Sequence, residues 1–492
     1  MIGVAMPARS FVRGNGPERL LQQLCGALDM LKSRPYRWFS GFLAIAYALA
    51  ATVAAAAPAA AQGIPLIRDT ELENLLKDYS RPIFKAAGLG SHISMRIVKH
   101  ESFNAFVVDG NNVFINTGTL LQAKTPNEVI GVIAHEAGHI TGGHMAALRT
   151  RIARDQTKAL LLMVLGIGMM VGGAVSGGDS ARDVGGAGGG VMMGGQEVLL
   201  RSLLGERRAQ ESAADQAGLK FLEATRQSGR GMLETFENFA QQEYVSAAHQ
   251  DAFVRSHPVA ADRIARLRDL VTKSPYYGQG DSPALQLRHD MVRAKISGYL
   301  ERPQTVANRY PASDNSLPAR YARAIARNCS GRCDQGIGEV DALLKEKPDN
   351  PYFWEIKGNF LYWSGKHREA IPHLRKALQL AGGNESLMQF EVAQAMLATE
   401  DTSLVDEAMS LLRRAILTDA THAASHHQLA TAYYRKGHEP QAHLAAAQGH
   451  FAEGNIKQAQ IFANRAMVKL AKGSPEWLRA EDISKYKAPP PT

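Results

Sequence analysis

Hydrophobic and polar positions fall into three periods along this chain, and each period predicts a different element. Between Glu71 and Lys85 apolar residues recur three and four apart, the pattern of an amphipathic helix. Ser94 to Lys99 alternates with period two, as a half-buried strand does. Ala105 to Val108 and Asn112 to Ile115 are β-branched or aromatic runs on either side of Asp109-Gly110, which predicts a hairpin. A second helix is then written with its own start and stop. Thr125 suits the N-cap, Pro126 the first helical position, and Glu128 stands where a capping box needs an acid. Val129, Ile130, Val132 and Ile133 follow as its apolar face, and Gly142-Gly143 ends it.

After this helix the pattern changes abruptly. Ala159 to Val171 is almost wholly apolar, and residues 172–195 contain eleven glycines. The apolar run is shorter than the roughly 20 residues a membrane span needs. Residues 159–200 therefore read as an insert with three alternatives: a mobile active-site cover, a segment dipping into a membrane surface, or a buried core helix with a disordered tail. A mobile flap leaning on a membrane surface is the preferred reading. A helical pattern resumes from Glu206 through Phe221.

The C-terminal third is periodic. Ala324, Gly331, Val340, Leu343 and Pro348 recur 34 residues later as Gly358, Gly365, Leu374, Ala377 and Gly382. That is the tetratricopeptide spacing of small residues where paired helices touch. Ala393, Ala408 and Ala415 continue it after a three-residue insertion. Ala430, Tyr433, Gly437 and Ala442 restart it, and Gly454, Ala459 and Ala466 close it. About four repeats are expected over 318–470, forming an all-α solenoid with a concave partner face. Residues 271–317 read as a linker, with loops marked by Pro275, Gly278 and Gly280, and 471–492 as a C-terminal tail.

A length of 492 residues allows two or three domains. The N-terminus has export character: Lys32, Arg34 and Arg37, then the apolar run Phe42 to Val53, then Ala59-Ala60-Ala61 before Gln62. Residues 1–61 are thus expected to be a signal peptide, with Met30 a candidate true start. Removing them lowers the formal charge from +9 to +5, too mild for nucleic-acid binding, and no basic cluster interleaves with aromatics. Cys329 and Cys333 then remain, able to close a small disulfide loop in an oxidising compartment.

The chemistry centres on His135-Glu136-Ala137-Gly138-His139. Two histidines four apart share one helix face and can present both imidazoles to one zinc ion, and the carboxylate of Glu136 can take a proton from the attacking water. Such a site needs a third protein ligand. Glu211 can supply one, and Asp215, one turn on, can hold a ligand imidazole by its other nitrogen; the alternative for this pair is a solvated charged face. Ala213, Ala214, Ala217 and Gly218 flank these acids and predict close helix packing. His144 falls one residue short of the third-histidine position of a longer motif and is assigned a supporting role. A small sheet ahead of such a helix offers its edge strand to an extended substrate.

Together, Glu128 to His144, Glu211 with Asp215, and Ser256-His257-Pro258 with Arg263-Ile264 resemble the HtpX-like and CAAX-prenyl-protease zinc peptidase family. The resemblance covers roughly residues 70–270. It implies an α+β, zincin-type (gluzincin) metallopeptidase domain over 62–270. One Zn2+ would be bound by His135, His139 and Glu211, with Glu136 as catalytic base and acid and Asp215 orienting a histidine. It also implies a substrate edge strand at Asn104-Ala105-Phe106. A leader, one such domain and a helical-repeat tail together resemble the periplasmic BepA-type subgroup. That resemblance implies periplasmic localisation, peripheral membrane contact, and outer-membrane or envelope proteins and their assembly machinery as partners. His257 has three alternatives: an oxyanion donor, a plug in the fourth zinc position, or a plain helix-start turn. Arg263 pairs either with an active-site acid or with solvent. Two functions remain, an exported zinc endopeptidase recruiting envelope clients, or a chaperone that keeps the zinc fold and rarely cuts.

Overall fold

The computed structural model describes residues 65–151, 205–240 and 252–487, apart from positions 91, 92, 109, 145, 148, 149, 330 and 332. The expected leader and the insert 159–200 lie outside the described residues. Among the described residues, no helix is long and apolar enough to cross a membrane.

The strands are β1 (Leu66–Ile67), β2 (Ser94–Val98), β3 (Ala105–Val107) and β4 (Asn112–Asn116), in the order β1-β2-β4-β3. β1 runs antiparallel to β2, and β2 parallel to β4. β3 and β4 form the expected hairpin, with Phe106 opposite Phe114 and the two rings stacked at 5.2 Å. Gly110 turns it at φ +80°, a backbone region that glycine enters without steric cost. β3 is the edge strand. No other strand pairs with its outer side among the described residues.

Helix α1 (Thr70–Ala86), capped by the Asp69 side chain, buries Leu72, Leu75, Leu76, Tyr79 and Ile83. After α2 (Thr117–Gln122) comes α3 (Pro126–Thr141), and its start follows from its sequence. Thr125 Oγ accepts from the Glu128 amide at 3.3 Å, and the Glu128 carboxylate accepts from the Lys124 amide at 3.1 Å. These bonds satisfy donors that a helix start leaves unpaired. Val129, Val132 and Ile133 are fully buried in the core beneath the sheet, each contributing roughly 1.5–3 kcal/mol of hydrophobic burial. Gly142 caps the other end, and Gly143, at φ +62°, turns the chain away. Residues 205–224 form α4. Helices α5 (Arg230–Ala240), α6 (Ala252–Ser256) and α7 (Ala261–Lys273) complete this core.

The stretch read as a linker is instead built of helices α8 (Pro283–Leu300) and α9 (Pro303–Arg309). The reason lies in its sequence: Ser282 caps α8, and Met291, Val292, Ala294 and Ile296 are buried. His289 is fixed on both sides, Nδ1 lying 3.1 Å from Tyr79 Oη and Nε2 3.0 Å from the Ala123 carbonyl. Lys295, only 2% exposed, lies 2.8 Å from Asp69 and 3.3 Å from both Glu71 and Glu355. Burial works against its charge, but the surrounding acids outweigh it and hold the ammonium well above its usual range. Tyr321 Oη donates to Glu71 at 3.1 Å. Arg68 reaches Asp419 at 2.6 Å. The two parts are thus sewn together by buried charge.

The repeat region runs as helical hairpins: α10 (Leu317–Cys329), α11 (Cys333–Glu346), α12 (Pro351–Trp363), α13 (His367–Leu380), α14 (Ser386–Leu397), α15 (Val405–Thr418), α16 (Ala423–Arg435), α17 (Glu439–Ala452), α18 (Ile456–Lys469) and α19 (Pro475–Lys485). Small residues set the spacing, as the 34-residue period requires. A Cβ on Gly358 of α12 would sit 2.5 Å from Leu374 of α13. Half of the stretch expected to be a tail is α19, because Ala480 and Ile483 bury against Ala459, Ala463 and Ala466 of α18. The expected Cys329–Cys333 bond is not formed in this structure: Cys333 opens α11 as a half-buried free thiol, and the Cys329 side chain lies outside those described.

Replacing Lys295 with methionine keeps the length and removes the charge, leaving the buried acids Glu71 and Glu355 and the half-buried Asp69 uncompensated. Lys295→Met should destabilise the protein by about 3–5 kcal/mol, read as a shift in the urea midpoint. An unchanged midpoint would show that the ammonium does not hold this seam.

Candidate metal centre

Two helices bring the site together because nothing separates their backbones. A Cβ on Gly138 of α3 would lie 2.6 Å from the Ala214 carbonyl oxygen of α4, and one on Gly218 would lie 3.0 Å from Ala134. Glycine and alanine alternate across this crossing, so α4 lies directly against the metal-motif face of α3. Glu211 is thereby carried to the two histidines.

The donors converge tightly. Glu211 lies 3.3 Å from His135 Nε2 and 3.4 Å from His139 Nε2, and the two imidazole nitrogens are 3.0 Å apart. His257 joins them: its Nδ1 is 3.2 Å from His135 Nε2 and 3.2 Å from Glu211. One ligand atom from each of His135, His139, Glu211 and His257 falls within 4.8 Å of all the others, a group that could hold a metal ion. Glu136 Oε1 is buried beside them, 3.4 Å from His257 Nε2, with no hydrogen-bond partner. Three imidazoles and a carboxylate, with a second carboxylate aimed into the group, fit a divalent ion of the zinc class.

Around this group lies a supporting layer. Asp215 Oδ1 is 2.9 Å from His135 Nδ1. Arg263 grips the same carboxylate with two nitrogens, at 2.5 and 2.8 Å, and reaches Glu211 at 3.0 Å. Of the two alternatives for Arg263, pairing with an acid is the one observed. His144 Nδ1 sits 2.9 Å from His139 Nδ1, behind the donor nitrogen rather than beside it. Phe236, fully buried, presents its ring to His135 edge-on at 5.3 Å and to the Arg263 guanidinium at 4.8 Å. The segment bearing His257 is pinned by Ser256 Oγ donating to Asn104 Oδ1 at 3.0 Å and by Arg207 donating to the Ser256 carbonyl. His257 Nε2 lies 3.4 Å from the Ala105 carbonyl of β3, so the edge strand borders the site.

Burial and these neighbours set the charges. Burial opposes charging His135, but Asp215 and Glu211 outweigh it and lift the imidazole to about 9. Burial, with the charges of His135 and His257, drives His139 down to about 3. Glu211 is held well below the usual carboxylate range, the nearby histidines overcoming its burial. Glu136 is pushed up, chiefly by burial. Two acids of one site thus differ: Glu211 is held in its charged form, and Glu136 is disposed to accept a proton.

Residues 67–271 match the family model described as peptidase family M48. This stretch is an M48 peptidase domain. The chain is 22% identical over 436 residues to the beta-barrel assembly-enhancing protease of Escherichia coli, covering 83% of this chain and 82% of that protein. The protein of the same name from Yersinia pestis is also 22% identical, over 84% of this chain and 83% of its own length. Metalloprotease LoiP of Escherichia coli is 26% identical over 37% of this chain and 63% of its own length. The solved structure of YrrB, titled a TPR protein with an unusual peptide-binding site, covers 43% of this chain and 95% of its own at 14% identity, with a TM-score of 0.27, too low to carry an argument.

The M48 domain makes this protein a metalloprotease, and the helical hairpins after it form a TPR-like region. Phe236 and the Asn104–Ser256 bond were not picked out from sequence. A buried aromatic has no motif, and a serine preceding His-Pro has meaning only once the strand lies against it.

Gly138→Val would place three carbons where the first already meets the Ala214 carbonyl. The helices would have to part, at a cost of about 1–3 kcal/mol, and Glu211 would withdraw from the histidines. The variant should lose metal on dialysis although every donor remains. Wild-type metal content by mass spectrometry would sever the link between crossing and site.

Proposed function

We propose that the protein is an exported zinc endopeptidase of the periplasm that acts on misassembled outer-membrane and envelope proteins. The observation that carries this reading is the convergence of His135, His139 and Glu211 at 3.0–3.4 Å with Glu136 buried alongside. In this reading the catalytic domain has the gluzincin arrangement, and those three residues hold one Zn2+. The ion would polarise the scissile carbonyl and acidify the attacking water. Glu136 takes the proton of that water and returns it to the leaving amine, a role suited to a carboxylate whose proton affinity burial has raised. Asp215, clamped by Arg263, fixes the ring of His135. The outer side of β3, with Asn104, Ala105 and Phe106, receives the substrate as an added strand.

The name of its relatives, beta-barrel assembly-enhancing protease, points to the same class of client. The repeats would recruit the client or the assembly machinery. A purely scaffolding role has no use for the buried carboxylate of Glu136. Glu136→Gln should leave metal content and melting temperature unchanged while peptide hydrolysis falls by about 10²–10⁴-fold. Hydrolysis at the wild-type rate would remove Glu136 from the chemistry.

With an ion bound, His257 would be placed to act as a fourth ligand and so to hold the enzyme off. Its Nδ1 lies 3.2 Å from both His135 Nε2 and Glu211, as close as a fellow ligand would be, which favours this role over oxyanion donation. His257→Ala should then raise proteolysis, including self-cleavage on storage, read as fragments on a gel. A donor to the oxyanion predicts the opposite, a fall of about 10²–10³-fold.

A further inference from the structure

Far from the peptidase site, we propose a second divalent-metal site in the repeat region, made by His427, His450 and Glu453 and suited to Zn2+. His427 projects from α16. His450 lies in the last turn of α17, and Glu453 caps that helix. The carboxylate faces both rings, Oε1 lying 3.0 Å from His427 Nε2 and Oε2 3.2 Å from His450 Nδ1. One ligand atom from each of the three residues lies within 4.8 Å of the other two. Four ligands at 2.0–2.1 Å in a tetrahedron stand about 3.3 Å apart, so a small closure of the rings suffices to seat an ion.

The rings are held in place by the fold. Gly449 lies under His427, where a Cβ would come within 2.7–2.9 Å of the imidazole. His427 therefore rests on the backbone of α17 at a point that only glycine leaves open. His450 stacks on Phe462 of α18 at 5.3 Å and meets His427 edge-on at 4.9 Å. The three side chains are 33%, 23% and 44% exposed, so an ion enters without unfolding and coordination positions remain open to water. The end of α17 also favours a cation, since its last carbonyls carry partial negative charge.

Two imidazoles and one carboxylate select borderline transition ions over Mg2+ or Ca2+, which take oxygen cages. Occupancy would clamp α16 to α17 and, through Phe462, to α18. The C-terminal repeats then stiffen when zinc is plentiful, and no residue of the M48 centre takes part.

The test uses the full-length protein, stripped of metal and titrated with Zn2+. We expect two ions per chain in the wild type, one of them lost in His427→Ala and in Gly449→Ala, with peptide hydrolysis unchanged in both. Gly449→Ala keeps every donor and gains helix propensity, so its metal-free melting temperature should be no lower than that of the wild type. Zinc added beyond the first equivalent should raise the melting temperature of the wild type alone, and excess Mg2+ should not compete. His139→Ala should lose the other ion and keep this one, separating the two centres. Saturation at one ion per chain in the wild type would overturn the proposal, as would a second ion retained in both repeat variants.

Discussion

The crossing of α3 over α4 is the contact on which the metal centre depends. No side chain at it is larger than a methyl: Gly138 meets Ala214, and Gly218 meets Ala134. Contact at that range fixes the separation of the two backbones, because neither has a side chain that could rotate to absorb a shift. Everything in the centre inherits that separation. Glu211 reaches the imidazoles from one turn before Ala214, and Asp215 reaches behind His135 from the next residue along. Arg263, from α7, then locks both acids. Burying so many charges is unfavourable unless each finds a partner, and Arg263 and the histidines supply those of Glu211 and Asp215. Glu136, whose Oε1 takes no hydrogen bond, is the carboxylate disposed to carry a proton.

A second set of buried charges answers a different need. Lys295 draws together Asp69 and Glu71 of the M48 domain's first helix and Glu355 of the repeats. The repeats therefore do not hang from the peptidase on a flexible tether. Cutting the chain before residue 318 would also expose Lys295 and Glu71, so the two parts are not independent modules.

Much of this was legible in the sequence. The capping residues Thr125 and Glu128 mark the start of α3, and Asp109-Gly110 marks the hairpin. The small residues around Glu211 foretell close packing, because few other reasons place four alanines and glycines beside two acids. These signals are local, and local signals survive without the fold. What was hidden is long-range. From sequence α8 reads as a linker, because the loop-marking Pro275, Gly278 and Gly280 lie just before it and its lysine looks like any solvated one. Only with Asp69 and Glu355, 226 residues before and 60 after respectively, does Lys295 become an anchor. α19 was missed because its two buried residues, Ala480 and Ile483, are too few to show a period.

The most direct test of the account is anomalous diffraction at the zinc edge from crystals of the full-length protein grown with the ion. The account predicts a peak bounded by His135, His139 and Glu211, each about 2.0–2.2 Å from the metal, with a nitrogen of His257 closing the fourth position. A peak away from Glu211, or none between α3 and α4, would contradict it.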